Sequence, residues 1–161
     1  MIAIITGAPG SGKTKTAKYL FENTERSALI DGDWLLAINP EQKNDEERLL
    51  RYKNIFTLAK SYHEGGFVNI FISFVYISDA NLQEQIKQLK EIDKVNVFAL
   101  TPTEEKLRER HASDAYKREG IESSININEQ IKKLSTDETI DNSAMTVEEV
   151  AEAIRIKLEL S

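Results

Sequence analysis

The sequence contains no cysteine, and several other residue types are scarce. Its 161 residues include one tryptophan, three prolines and seven glycines. The absence of cysteine excludes disulfides, thiolate metal sites and a cysteine nucleophile, and it fits a reducing compartment. No apolar run approaches the roughly 20 residues that a membrane-crossing helix needs. We therefore expect no membrane partner.

Positive charge is also in deficit. The chain has 27 Asp and Glu against 21 Lys and Arg, a formal net charge of −6, and no block of basic residues. This balance disfavours bulk attraction to nucleic acid or to an anionic membrane. The length matches one ordinary domain of roughly 100–200 residues. We expect a single domain over 1–161 in the cytoplasm, with no room for a cleavable leader before the motif that begins at residue 7.

Short apolar segments alternate with amphipathic helical patterns along the chain. This alternation predicts an α/β fold with a parallel sheet of about five strands between two layers of helices. The predicted strands are 1–6, 27–30, 67–77, 95–100 and 138–140, and the predicted helices are 13–21, 41–63, 81–91, 126–134 and two that begin at Thr101 and Thr146. Both of these threonines are followed three residues later by Glu, and Pro102 fits the first position of a helix.

The segment from Gly7 to Thr14, Gly-Ala-Pro-Gly-Ser-Gly-Lys-Thr, lies between the first predicted strand and the first predicted helix. It fills every fixed position of the Walker A pattern in its strand–loop–helix context, which an ordinary glycine-rich turn seldom does. Such a loop directs backbone N–H groups and a helix N-terminus at phosphate oxygens. The predicted nucleotide-binding residues are Gly7, Gly10, Ser11, Gly12, Lys13 and Thr14, with Lys13 reaching the β- and γ-phosphates and the Thr14 hydroxyl binding Mg²⁺.

The segment Asp31-Gly32-Asp33 follows the second predicted strand. In open parallel sheets, ligands bind beyond the carboxyl ends of the strands. Asp31 is the predicted metal partner, direct or through water, and Asp33 the predicted base that takes the proton of an attacking hydroxyl. The alternative is a plain turn, because Asp and Gly are common turn residues.

The chain lacks the motifs of two other classes of phosphate-loop protein. It has no Asn-Lys-x-Asp and no Asp-x-x-Gly segment, which argues against a GTPase. The third predicted strand reaches Tyr76-Ile77-Ser78 before Asp79, so it supplies no acidic residue at its end. A motor-type ATPase needs such a carboxylate for Mg²⁺ and water.

These motifs resemble the small phosphate-loop kinases of the adenylate kinase-like group, such as shikimate, gluconate and adenylylsulfate kinases, chloramphenicol phosphotransferase and tunicamycin-resistance-type proteins. Asp31 to Leu35 is similar to the Asp-Gly-Asp segments of gluconate and adenylylsulfate kinases, and Ile140 to Ser143 is similar to the segment near adenine. The glycine triplet of shikimate kinases and the His that follows Asp-Gly-Asp in gluconate kinases are absent. The resemblance therefore implies the group and neither named activity.

The resemblance also implies a helical lid at about 103–121, whose arginines contact the transferring phosphates. Arg110 and Arg118 are the favoured candidates, with Arg108 as a third. The alternative is surface ion pairing, because Glu104–Arg108, Arg110–Asp114 and Asp114–Arg118 are spaced i, i+4.

Four further residues could either bind a substrate or have a purely structural role. Arg48, Arg51 and Tyr52 share one helix face and could grip a substrate, or belong to a solvated face. Trp34 could form a wall of the substrate site, although a single tryptophan is more often a core residue.

The sequence thus predicts an enzyme that uses ATP and Mg²⁺ and moves the γ-phosphoryl group to a hydroxyl of a small-molecule acceptor. Two alternatives remain: a nucleotide-binding regulatory or resistance module without turnover, and a nucleoside monophosphate kinase. The sequence does not indicate the oligomeric state.

Overall fold

The computed structural model describes residues 1–41, 44–113 and 120–160. Five parallel strands form one sheet: β1 (Ile2–Gly7), β2 (Ser27–Asp31), β3 (Asn69–Ser73), β4 (Val95–Leu100) and β5 (Glu138–Ile140). Their order in the sheet is β2-β3-β1-β4-β5. The strand that precedes the predicted phosphate loop is therefore central, and its neighbours are β3 and β4.

Six α-helices cover the two faces of this sheet within the described residues. They are α1 (Lys13–Glu22), α2 (Asp45–Glu64), α3 (Asp79–Leu89), α4 (Glu104–Ser113), α5 (Ile121–Ile131) and α6 (Val147–Leu158). One apolar cluster joins the sheet to α1 and α6, and a second joins it to α2, α3 and α5. The three-layer α/β/α architecture predicted from the sequence is confirmed. No helix in the described ranges is long and apolar enough to span a bilayer.

β1 lies at the centre of the core because four consecutive residues, Ile2 to Ile5, are apolar and have no exposed surface. A strand that is buried on both faces needs no polar alternation. The strand ends where the glycine-rich loop begins, so the loop lies at the centre of the carboxyl edge.

The apolar run 67–77 is only partly strand. β3 stops at Ser73, and the chain then leaves the ladder, with the Tyr76 N–H donating to the Thr6 hydroxyl at 3.2 Å. The rings of Tyr52, Phe74 and Tyr76 pack against one another, with centroids 5.1–6.4 Å apart. Aromatic packing with α2 therefore explains the apolar character of the segment after Ser73.

Two predicted helix starts have different outcomes. Thr146 caps α6 in a complete capping box with Glu149, as predicted. The predicted start at Thr101 is wrong, because Thr101 donates its backbone N–H to Ile140 of β5 and α4 begins at Glu104. The Thr103 hydroxyl accepts the Lys106 N–H at 3.3 Å and thus takes the capping role.

Two further helices begin or end several residues away from their predicted bounds. α2 begins at Asp45, after the Asn44 side chain has accepted the Glu47 N–H, and not near residue 41. α5 spans Ile121–Ile131 instead of 126–134, because the Leu134 N–H already bonds the Ile131 carbonyl in a turn.

Candidate functional site

The loop from Gly7 to Thr14 has the backbone that its glycines predict. Gly10 and Gly12 have φ values of 84° and 97°, in the left-handed region that side chains disfavour. Gly12 is the N-cap of α1, and no side chain caps this helix, in contrast to α2, α3 and α6. A helix N-terminus without a side-chain acceptor presents its first N–H groups and positive dipole end to an anion.

Gly7 has a packing role beneath the loop. A Cβ atom at Gly7 would lie 2.2 Å from the Ser11 hydroxyl and 3.0 Å from the Leu100 carbonyl oxygen. Only glycine lets the loop fold back this closely over β4. Ser11 has no exposed surface and Lys13 is 8% exposed, so the loop is part of the core as well as the rim of the site.

Thr14 faces β3. Its hydroxyl lies 3.1 Å from the hydroxyl of Ser73, the last residue of that strand. Asp31 pairs in register with Ser73 on the next strand, so the three residues stand at one carboxyl edge. The sequence reasoning missed Ser73, because it extended the strand beyond this residue. Asp79, the acid considered beyond that strand, instead accepts the Ser135 N–H at 2.7 Å.

Asp31 and Asp33 adopt different environments across Gly32. Asp31 ends β2, is half-buried and accepts the Asp33 N–H through Oδ1 at 3.1 Å. Asp33 is exposed and lines the same cleft as Lys13 and Thr14. Arg51 donates to the Gly32 carbonyl at 3.0 Å and so holds this turn against α2.

The cleft has a volume of about 850 Å³ and crosses the carboxyl edge of the sheet. One end is lined by Asn142 and Met145, from the segment between β5 and α6 (the β5–α6 segment), and by Val147 and Val150 of α6. The loop forms the middle. The other end is lined by Asp33, which follows β2, and by Val75 and Ile77, which follow β3.

Arg110 of α4 contacts the loop. Its guanidinium donates to the carbonyls of Ser11 and Asn142, both at 3.0 Å, and to that of Gly10 at 3.4 Å. Burial lowers the pKa of Arg110, and the nearby Glu109 opposes this effect. Asn142 in turn donates from Nδ2 to the Ser11 carbonyl at 2.8 Å. These bonds join α4, the loop and the β5–α6 segment.

Other predicted residues are placed away from the cleft or outside the description. Arg108 pairs with Glu104 at 2.8 Å, as the surface alternative predicted, and also with Glu122 at 2.8 Å. Arg118, and with it the pairs of Asp114 and part of the predicted lid at 103–121, lies outside the described residues.

The three residues predicted to share one helix face contact other parts of the protein. Arg48 pairs with Glu84 at 2.8 Å, Arg51 pairs with Glu47 at 3.3 Å, and Tyr52 is 2% exposed. Trp34 is 77% exposed, so its interpretation as a core residue is wrong.

The donors at the carboxyl edge suit Mg²⁺. Among the described residues, no group of three His, Asp or Glu side chains is placed to hold a metal ion. Mg²⁺ is usually held by one or two protein oxygens together with phosphates and water. The Thr14 hydroxyl and the Asp31 carboxylate supply oxygen donors of this kind at one edge, beside the loop.

The fold is that of the small phosphate-loop kinases. The tunicamycin resistance protein of Deinococcus radiodurans is 19% identical with a TM-score of 0.76, over 99% of this chain and 96% of that one. A gluconokinase from Sinorhizobium meliloti is 17% identical with a TM-score of 0.70, over 98% and 90%. The shikimate kinase of Aquifex aeolicus is 19% identical with a TM-score of 0.67, over 99% and 96%.

The sequence matches no protein-family model and no curated protein sequence. The likeness to these structures therefore identifies the fold and leaves the reaction to the residues of the site.

Proposed function

We propose that the protein is a kinase that transfers the γ-phosphoryl group of ATP, with the assistance of Mg²⁺, to a hydroxyl of a small molecule. The observation that carries this proposal is the exposed carboxylate of Asp33 in the wall of the cleft that the phosphate loop and Lys13 also line. A base beside the phosphate loop is needed for transfer to a hydroxyl, whereas a module that only holds a nucleotide needs none.

The orientation of the nucleotide follows from Thr14. In phosphate loops this hydroxyl would hold the Mg²⁺ that neutralises the terminal phosphates, and here it faces Ser73 of β3. The γ-phosphate therefore points towards β3 and β2, where Asp33 lies. The adenine ring then lies at the opposite end of the cleft, near Arg110 and the apolar side chains of Met145, Val147 and Val150.

The chemical step consists mainly of positioning and charge stabilisation. Bound Mg²⁺ would neutralise charge on the phosphates, with Thr14 and Asp31 as its protein partners. The acceptor oxygen forms a bond to the γ-phosphorus while the bond to the bridging oxygen breaks. The hydroxyl proton goes to the Asp33 carboxylate, and ADP leaves. Lys13 holds the phosphate oxygens in line, and Arg118 is proposed to add charge from the lid.

The test compares two lysines of the same segment. Lys13→Ala should lower acceptor-dependent ADP release at least about 10²-fold, because it removes a cation at the phosphates. Lys18→Ala is the matched control, because Lys18 is on α1 with a 63% exposed side chain and pairs only loosely with Glu22 at 3.6 Å. Circular dichroism would verify that both variants are folded.

The measurement is ADP release from ATP with a set of hydroxylated metabolites. Release that needs an acceptor and fails in Lys13→Ala supports the kinase. Nucleotide binding by the wild type without any acceptor-dependent release would favour the module without turnover. Release with nucleoside monophosphates alone would favour the monophosphate kinase.

A further inference from the structure

The end of the cleft beyond β2 and β3, where the proposed function places the acceptor (the acceptor end), has an apolar wall. Val75 and Ile77 line it from the segment after β3, and Ile77 is 50% exposed. Trp34 follows Asp33 in the single turn of 3-10 helix after β2 and is 77% exposed. Two apolar side chains that line a cleft beside a carboxylate, with an exposed tryptophan next to that carboxylate in the chain, suggest a ligand with an apolar part.

The charges at this end oppose an anionic acceptor. Of the described residues that line the cleft, the cationic ones belong to the loop, to α1 and to α4. Among the described lining residues that follow β2 and β3 in the chain, the one charged side chain is the carboxylate of Asp33. A carboxylate or phosphate on the acceptor would approach that negative charge, and the proposed function already engages Lys13 with the phosphates of the nucleotide.

The two arginines of α2 do not supply the missing positive charge. Arg48 is paired with Glu84, which joins α2 to α3, and it also lies 5.3 Å from the Tyr52 ring. Arg51 is paired with Glu47, donates to the Gly32 carbonyl and lies 5.6 Å from the Phe74 ring. Both guanidinium groups thus support the walls of the acceptor end and neither lines the cleft.

We propose that the acceptor is an uncharged hydroxyl compound with an apolar group, whose hydroxyl lies at Asp33 and whose apolar group packs on Val75, Ile77 and Trp34. The assignment of the hydroxyl rests on the proposed kinase function. The apolar contact does not, because it concerns which compounds bind at this end of the cleft.

The test uses matched quartets of sugar derivatives built on glucose, galactose and mannose. Each quartet contains the methyl glycoside, the phenyl glycoside, the methyl uronide and the phenyl uronide, so charge and apolar surface vary separately. Dissociation constants are measured by calorimetry in the presence of a non-hydrolysable ATP analogue. We expect a phenyl glycoside to bind at least about tenfold more tightly than its methyl counterpart, which is the low end of the gain from burying an aromatic ring. We also expect it to bind at least about tenfold more tightly than its phenyl uronide, because the uronide brings a second carboxylate near Asp33.

Trp34 reports where the compound binds. It is the only tryptophan of the chain, so its fluorescence should change as the phenyl glycosides bind. Ile77→Ser should reduce the preference for the phenyl group and leave affinity for the ATP analogue unchanged. Ile156→Ser is the matched control, because Ile156 is a 68% exposed isoleucine on α6.

Several results would overturn the proposal. These are tighter binding of the uronides, equal or undetectable binding throughout the quartets, and binding without a change in Trp34 fluorescence. If the proposed kinase function is wrong and the apolar contact is right, the preference for phenyl glycosides persists without any acceptor-dependent ADP release. Release driven only by anionic acceptors would keep the kinase and reject the acceptor class.

Discussion

Asp31 and Asp33 are separated by one residue, yet the fold gives their carboxylates different surroundings. The Asp31 carboxylate accepts the N–H of the turn and lies beside the end of β3, whereas that of Asp33 faces the cleft. The first position suits a metal partner with a fixed orientation. The second suits proton transfer, because an exposed carboxylate can accept a proton and release it to water.

Substitution of Asp33 separates these roles. Asp33→Asn removes the capacity to take a proton and leaves the backbone bond to Asp31 in place. With a hydroxyl acceptor, kcat should fall by at least about 10²-fold while nucleotide affinity stays unchanged, because the phosphate loop is not altered. Steady-state kinetics and calorimetry would measure the two quantities.

Full activity of Asp33→Asn on a hydroxyl acceptor would remove Asp33 from the mechanism. A slight loss with an acceptor that is itself a phosphate would instead indicate that no base is required.

At the scale of the elements, α4 is tied to the loop and to the β5–α6 segment by Arg110. The resemblance to small phosphate-loop kinases implied that Arg110, as a lid residue, contacts the transferring phosphates. In the structure its donors lie on the carbonyls of Gly10, Ser11 and Asn142, and the buried side chain of Leu107 packs near Gly10. Arg110 therefore supports the shape of the loop through these bonds.

Replacement of Arg110 should consequently weaken nucleotide binding itself. Arg110→Gln should raise the nucleotide Kd by about tenfold or more, since three carbonyls lose a charged donor. Arg108→Gln is the matched control on the same helix, because Arg108 has surface ion pairs only. Calorimetry would measure both Kd values. A lowered kcat with unchanged Kd in Arg110→Gln would restore the interpretation that Arg110 acts only on the transferring phosphate.

Local patterns predicted the elements whose limits depend on local chemistry. The strands β4 and β5 have the predicted bounds, and the α6 cap is the predicted one. The end of β3 could not be predicted, because the apolar segment after Ser73 packs on an aromatic ring of α2 and not in the sheet.

The same distinction applies to the site. The phosphate loop is a contiguous motif, and its backbone follows from Gly10 and Gly12. The contacts of Thr14 with Ser73 and of Arg110 with the loop join residues far apart in the sequence. Such contacts depend on strand order and register, which local patterns do not encode.

At the scale of the whole molecule, the cleft connects elements from both edges of the sheet. Its walls come from the ends of β2 and β3, from the loop after β1 and from the β5–α6 segment. The layers that cover the two faces of the sheet therefore meet at this cleft. A ligand that binds here binds the folded state only, and it should stabilise the whole domain.

Thermal unfolding should accordingly depend on both nucleotide and metal. A non-hydrolysable ATP analogue with Mg²⁺, at about 100 times its Kd, contributes about 2.7 kcal/mol and should raise Tm by about 5–10 °C for a chain of this size. Removal of Mg²⁺ with a chelator should reduce the rise. Asp31→Asn should lose most of this Mg²⁺-dependent part because it removes the proposed carboxylate partner of the metal, whereas Asp33→Asn, the matched control one residue beyond Gly32, should keep it. Calorimetric scans of the wild type and the two variants measure these shifts. A rise in Tm of the wild type that is the same with and without Mg²⁺ would exclude Thr14 and Asp31 as partners of the metal.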